Sequence, residues 1–518
     1  MKRKLMSIAA LLTAGMLVLT ACGGGSNSGG GESGGGGEGA AKTELIVAQG
    51  ADAKSLDPHG TNDQPSSRVM RQIYETLVDQ NEKMELLPGL AESWEQVDDS
   101  TYQFNLKKGV KFHNGEEFKA SDVKFTMERA LESANVGHIV EAIDKAKIEV
   151  VDDYTIKIGT KEPFAPLLAH LAHTGASILN EKAVTEAGED YGQNPVGTGP
   201  FKFESWATGD SIVLVRNDEY HRDPAKLTKV TFRAIPEDTN RTIELETGGV
   251  DIVYDISPND IEKVESNEKL TLVRDASLST GYIGFNCAKA PFDNVKVRQA
   301  INTALDTESI INTVYKGVGS PAKGPLTPQV WASNQNLEPY GFDVEKAKAL
   351  MAEAGYADGF KTTIWTNENP QRMAVAEVVQ NQLKAIGIET EVKVMEWGAY
   401  LDGTAKGEHD MFILGWVTVT GDPDYGLFPL FHSSTFGDAG NRTFYSTPKV
   451  DELLEKGRFS VDPAEREAAY MEVQQIVRDD APWVFMNYGE NISGTASNVK
   501  GFMQHPAGHY RLYPVYFE

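Results

Sequence analysis

A mixed α/β chain of more than one lobe is predicted from three observations. First, the texture of the sequence changes near residue 285. Beyond it, apolar runs such as Ile364, Glu391–Val394 and Met411–Leu414 alternate with helical patterns at Val295–Leu305, Val344–Ala354, Ala374–Ile386, Val450–Glu455 and Pro463–Asp479, a rhythm that layers helices on a sheet. Second, the region before 285 holds short alternating strand patterns separated by turn residues. Third, 518 residues exceed the usual size of one hydrophobic core, so two or three lobes are expected, and 40% apolar with 9% aromatic residues suits a well-packed protein.

The N-terminus begins with Lys2, Arg3 and Lys4, followed by a weakly polar stretch from Leu5 to Ala21 that ends in small residues. A basic patch and an apolar run too short for a finished membrane span make residues 1–21 a secretory signal peptide. Leu19-Thr20-Ala21-Cys22 resembles the bacterial lipobox, which implies that the Cys22 thiol receives a lipid and becomes the new N-terminus. Residues 22–43 read as the lipidated Cys and a flexible linker. From Gly23 to Ala41 almost every residue is Gly, Ser or Glu, a composition that cannot bury a core and reaches roughly 20–25 Å as a coil. No strand precedes it and no helix follows it, so it is not a phosphate loop.

Leu45–Ala48 reads as a buried strand. The polar loop after it contains Leu56-Asp57-Pro58-His59 and the candidate backbone donors Asn62 and Gln64. Ser66 or Ser67 is expected to cap a helix with Val69, Ile73 and Leu77 on its apolar face. Tyr102, Phe104 and Leu106 alternate as in a half-exposed strand. Asn114-Gly115 signals a hairpin with positive φ at both residues, and Ser121 opens a helix with Val123, Met127 and Ala130 inside. Pro195–Phe201 is a rigid, glycine-punctuated crossing. Strands follow near Ile212–Val215, Val230–Ala234 and Gly281–Phe285.

A formal net charge of −26, made more negative when the signal carries away three cations, repels nucleic acid and anionic head groups. Of two cysteines, Cys22 is assigned to lipid. Cys287 is then left without a disulfide partner and reads as a small buried hydrophobe. His170 and His173 share a helical face but lack an evident third metal ligand and are read as solvent-facing. No nucleophile elbow or cysteine-protease signature is present, so no catalytic residue, metal or cofactor is nominated.

Ala91, Asp98 and Thr101–Phe112 together resemble the signature of the peptide-type (family 5) solute-binding proteins of ABC importers. Leu87–Trp94, Val196–Pro200, Asn294–Ala300 and Ala347–Tyr356 carry the same likeness in the same order. Gly415-Trp416, Gly421–Tyr425, Phe444–Ser446, Asp462–Glu465 and Ala481–Trp483 are similar to the glutathione-binding branch, with the dipeptide-binding branch nearly as close. The resemblance implies a two-lobed periplasmic-binding-protein fold with an extra inserted domain, three lobes around a hinged cleft. Domain I would comprise 44–83, 195–284 and 499–518, domain II (the insertion) 84–194, and domain III 285–498. The hinge crossings would lie near Ile283–Cys287 and Ser497–Gly501.

It further implies a monomer outside the cytoplasmic membrane, anchored by lipid at Cys22 on the cell surface or in a periplasm. It would capture small peptides by closure and deliver them to permease and ATPase partners, without binding nucleic acid and without acting as an enzyme. In the dipeptide and oligopeptide branches an Asp three residues after the Trp meets the ligand ammonium. Here that position is Val419, so Asp422 and Asp424 are substitutes, with N-capping of the following helix as their other role. Trp416 is the expected wall of the cleft, Arg372 a partner for a ligand carboxylate, and Tyr282 and Trp483 weaker wall candidates. Nickel or another small solute, a lipid-anchored sensor or receptor, and a lipid-anchored hydrolase are the competing readings.

Overall fold

A computed structural model of the protein describes residues 42–437 and 440–518. The signal peptide, the linker before residue 42 and Cys22 lie outside the described residues. In chain order the strands are β1 (Glu44–Gln49), β2 (Val78–Gln80), β3 (Leu86–Pro88), β4 (Ala91–Asp98), β5 (Thr101–Leu106), β6 (Ile143–Asp152), β7 (Thr155–Thr160), β8 (Phe201–Ala207), β9 (Ser211–Arg216), β10 (Lys229–Ala234), β11 (Ile252–Tyr254), β12 (Leu270–Phe285), β13 (Ser320–Pro321), β14 (Phe360–Asn367), β15 (Ile388–Met395), β16 (Met411–Val417) and β17 (Trp483–Ala496). Among the described residues, one eleven-stranded sheet runs β15-β14-β16-β12-β17-β11-β1-β10-β9-β8, with β13 beside β17. A separate antiparallel sheet runs β4-β5-β7-β6.

The long strands β12 and β17 unite the large sheet. Leu270–Ala276 pairs with Glu490–Ala496 beside β11, and Thr280–Gly284 pairs with Trp483–Tyr488 beside β16. Between the two stretches the register breaks at Ala276–Thr280. The changeover therefore falls at 276–280 and 488–490, several residues before the crossings expected at 283–287 and 497–501. Gly489 sits in this break, where a Cβ would stand 3.1 Å from the Ser277 Oγ.

Core side chains gather in clusters that follow this layout. Leu45, Val69, Tyr74, Phe201, Phe232 and Tyr510 belong to one, and Phe104, Phe118, Val123, Met127 and Ile158 to a second against the smaller sheet. Two more flank β12, β16 and β17 on opposite faces: an aromatic one with Tyr282, Phe412, Phe431 and Trp483, and an aliphatic one with Ile283, Ile364, Val375, Met411 and Met486. Strand alternation sends Phe412, Leu414 and Trp416 of β16 to the first and Met411 and Ile413 to the second, while Val417 at the strand end also packs on the first.

Several local expectations are corrected. The helix Gln64–Ile73 is capped by Asp63, whose carboxylate accepts from Ser66 N at 3.0 Å, and Leu77 lies beyond the helix end. Asp63 wins because an Asx side chain just before a Pro-containing first turn reaches an orphan N–H. At Asn114-Gly115 only Gly115 has positive φ, so a two-residue hairpin turn with both central residues left-handed does not form. His170 is 3% exposed and its Nδ1 stands 2.7 Å from the Ile139 carbonyl, because the helix is only Leu167–His170 and packs inward.

The crossing at Val196–Pro200 is clamped from both sides. His113 N donates to Gly197 O at 2.9 Å, and Gly199 N donates to Ile73 O at 2.8 Å. A Cβ on Gly197 would stand 2.1 Å from the same Ile73 carbonyl. Gly197→Ala is expected to cost about 1–3 kcal/mol through forced backbone displacement, read as a lowered urea midpoint with an unchanged slope.

Candidate functional site

The site forms where β16 ends. Thr418 N donates to Leu278 O at 3.0 Å, which makes Thr418–Leu278 a hydrogen-bonded antiparallel pair. The alternation then makes Trp416–Thr280 another, so Gly415 and Val417 turn their N–H and C=O away from β12. On that outer side β14 pairs only with Met411 and Phe412. Further along, the Ile413 carbonyl accepts from the Tyr400 hydroxyl at 2.6 Å, and the Val417 carbonyl from Val419 N at 2.9 Å. Among the described residues, both groups of Gly415 and the N–H of Val417 remain as an open strand edge.

A cavity of about 300 Å³ borders this edge, on the face away from Trp416. Gly281 and Gly415 form a floor without side chains, and Tyr315, Gln371, Arg372 and Asn487 stand around it. Arg372 occupies the first turn of the helix Pro370–Leu383. That turn is fixed by the Asn369 side chain, which accepts from Arg372 N at 2.9 Å. The Arg372 Nη1 donates to Asn367 Oδ1 at 2.9 Å, which aims the guanidinium from the end of β14. Its charge reaches Tyr315, whose hydroxyl pKa is raised by burial and pulled back by Arg372. Among the described residues that line the cavity, Arg372 is the one charged side chain. Asn487 is 9% exposed, with its Oδ1 crowding Gly281.

The other residues singled out from the sequence lie elsewhere. Trp416 is half-buried on the opposite face. Its Nε1 donates to Tyr425 O at 2.9 Å and the two rings are 5.4 Å apart. Tyr282 lines the cavity while its ring stacks on Trp483 at 3.6 Å. Trp483 itself is 1% exposed within the aromatic core. Asn62 donates to Asn135 O at 3.2 Å and Gln64 to Ala507 O at 3.0 Å, neither at the cavity.

Asp422 caps the helix Pro423–Phe431 and accepts from Arg466 Nη2 at 2.9 Å. Asp424 takes a two-pronged bond from Arg458 at 2.9 and 3.0 Å. Both carboxylates are buried, engaged and away from the cavity. Burial pushes the Cys287 thiol up to about 11, so it stays protonated. The open edge, Asn487 and Gln371 escaped sequence reasoning. The only sequence signal was the Gly415-Trp416 pair at a strand end.

A second titratable group surrounds Arg71. Burial first, then the Arg71 charge, lowers His173 and His505 to about 3; His138 and His170 also face His173, and Arg511 and Asp79 face His505. His505 and His509 stack at 4.7 Å.

Comparison with known proteins places these features in context. The family of bacterial extracellular solute-binding proteins, family 5, matches residues 85–438. Heme-binding protein A of Haemophilus influenzae is 34% identical over 98% of this chain and 99% of its own length. Glutathione-binding protein GsiB of Pectobacterium atrosepticum is 34% identical over 90% of this chain and 92% of its own. The periplasmic binding protein DppA of Helicobacter pylori, solved with the peptide STSA, superposes with a TM-score of 0.83 at 34% identity, covering 92% of this chain and 98% of that one.

Two outcomes follow from this geometry. Asp424→Asn strands the Arg458 guanidinium and is expected to cost about 3–5 kcal/mol in denaturant unfolding. His173 and His505 are neutral in the fold but have an ordinary pKa near 6.5 when unfolded, so the unfolded chain binds more protons below about 6.5. The melting temperature should therefore fall between pH 6.5 and 4, and His505→Asn should flatten that fall.

Proposed function

Because the chain belongs to the bacterial extracellular solute-binding proteins of family 5, the extracytoplasmic, non-enzymatic binding components of ABC importers, we propose that it captures a small peptide bearing an excess of carboxylate, with glutathione or a di- or tripeptide as the guest. The observation that carries this reading is the open edge of Gly415 and Val417 beside a cavity whose one charged lining group is Arg372. A peptide backbone adds to such an edge as a further strand, and a planar guanidinium takes a carboxylate through paired hydrogen bonds. Val419 stands where dipeptide-binding relatives place an acid, and Asp422 and Asp424 are consumed by Arg466 and Arg458. That distribution suits a guest with more carboxylates than ammonium groups. The glutathione-binding relative supports the same choice.

In this reading residues 44–83, 195–284 and 499–518 form one lobe, 84–194 a second and 285–498 a third. The register break at 276–280 and 488–490 serves as the hinge, since strand pairing is weakest there. Ligand shifts the population toward closure, and the closed form meets a membrane permease driven by an ATPase. Cys22 carries lipid, and the Gly/Ser linker lets a monomeric body stand off the membrane. No helix of the described residues is long and apolar enough to cross a membrane.

Melting curves with reduced and oxidised glutathione, di- and tripeptides, hemin and nickel test the reading. A guest at about a hundred times its Kd stabilises by roughly 2.7 kcal/mol. Arg372→Gln is expected to weaken a carboxylate-bearing guest at least tenfold in titration calorimetry while leaving the ligand-free melt nearly unchanged. Shifts confined to hemin or nickel would sink the peptide assignment.

A further inference from the structure

A second cavity, of about 60 Å³, lies among the helix Gln64–Ile73, the β2–β3 pair and the C-terminal segment, and shares no lining residue with the solute cavity. Arg71, Arg222 and Arg511 line it with Glu75 and Asp79. The two acids are already committed. Asp79 is held by both arms of Arg511. Glu75 accepts from the Tyr220 hydroxyl at 3.0 Å, stands 2.9 Å from His221 Nε2, and lies 3.7 Å from Arg222.

Arg71 is left over. Its Nη2 donates to Ala172 O at 2.7 Å, its Nε is buried without a hydrogen-bond partner, and among the described residues it has no ion pair. Burial, then the neighbouring Arg511 charge, lowers its pKa to about 10. On its other side stand His173, His505 and His509, whose pKa values are all depressed by burial and by Arg71. Lys107 lies close enough to Arg222, Glu75 and Asp79 for their charges to act on it. Three guanidinium groups, Arg71, Arg222 and Arg511, thus face two carboxylates, Glu75 and Asp79, in a partly enclosed space. A water molecule cannot offset the excess charge, and an uncompensated buried cation is costly.

We propose that this cavity is a binding site for a small monovalent anion of halide or nitrate size, held among the Arg71, Arg222 and Arg511 guanidinium groups that line it. The space admits a group little larger than a water molecule or two and excludes a peptide. The anion would bind where the helix Gln64–Ile73 meets the 172–173 turn and the C-terminal segment, so its occupancy would tie these three together.

Melting curves of the purified protein in sodium chloride, bromide and nitrate, against sodium gluconate at equal ionic strength, test this. The expected result is a higher melting temperature in the three small anions, saturating with concentration, and lost in Arg71→Gln. Crystals soaked in bromide should show an anomalous peak inside the cavity, among Arg71, Arg222 and Arg511. This map uses the unaltered protein and so decides the matter if the variant does not fold. Bromide found only at exposed cations, or equal melts in chloride and gluconate, would overturn the proposal.

Discussion

The ladder between β12 and β17 is the constraint on which the rest of the structure depends. Two strands of sixteen and fourteen residues hydrogen-bond on both sides of the break at 276–280; on its outer edge β17 takes β11 in one half and β13 in the other, while β12 takes β16 in the second half. Backbone groups buried at the centre of a sheet must be paired, so this ladder sets where every flanking strand can dock. β16 docks on β12 as far as Thr418, while β14 leaves β16 after Phe412. The open edge is the difference between those two pairings. Its polar groups keep binding capacity because no strand of the described residues reaches them.

Charge is distributed by the same logic of satisfaction. The chain is strongly acidic, yet the carboxylates nearest the end of β16 are turned inward. Asp422 and Asp424 hold Arg466 and Arg458 against the helix Pro423–Phe431, and the Arg458 guanidinium lies 3.4 Å above the Phe428 ring. Charges this deeply buried persist only when paired, so they are fixed parts of the interior rather than groups available to a guest. Arg372 is oriented by the Asn367 side chain and by a helix start, at the rim of the cavity. The wall contributed by Trp416 is also settled internally, since its N–H is spent on the Tyr425 carbonyl and its ring packs with aromatic neighbours.

Much of the fold was legible along the chain. The helices at 295–304, 344–353 and 463–480 and the strands at 211–216, 229–234 and 411–417 carry their apolar periods locally, and the texture change near 285 coincides with the end of β12. What misled was local chemistry with several outcomes. Ser66, Ser67 and Asp63 can all cap a helix, and only the chain path after Thr61 selects Asp63. His170 has the spacing of an exposed helical residue, but its helix lasts four residues and meets the core. Gly281–Phe285 is readable as a strand, whereas its continuation back to Leu270 depends on β17, two hundred residues later.

The sequence by itself determined the acidic composition, the α/β layering and the ordered motifs of the family, because each is written in neighbouring residues or in composition. Only the tertiary structure decided which side of β16 stays unpaired, that Gly281 and Gly415 meet to floor a cavity under Arg372, and that Asp422 and Asp424 are spent on internal cations. These are facts about partners distant in the chain. Hydrogen-bond and charge satisfaction is settled by whichever group arrives, and arrival is a property of the folded arrangement.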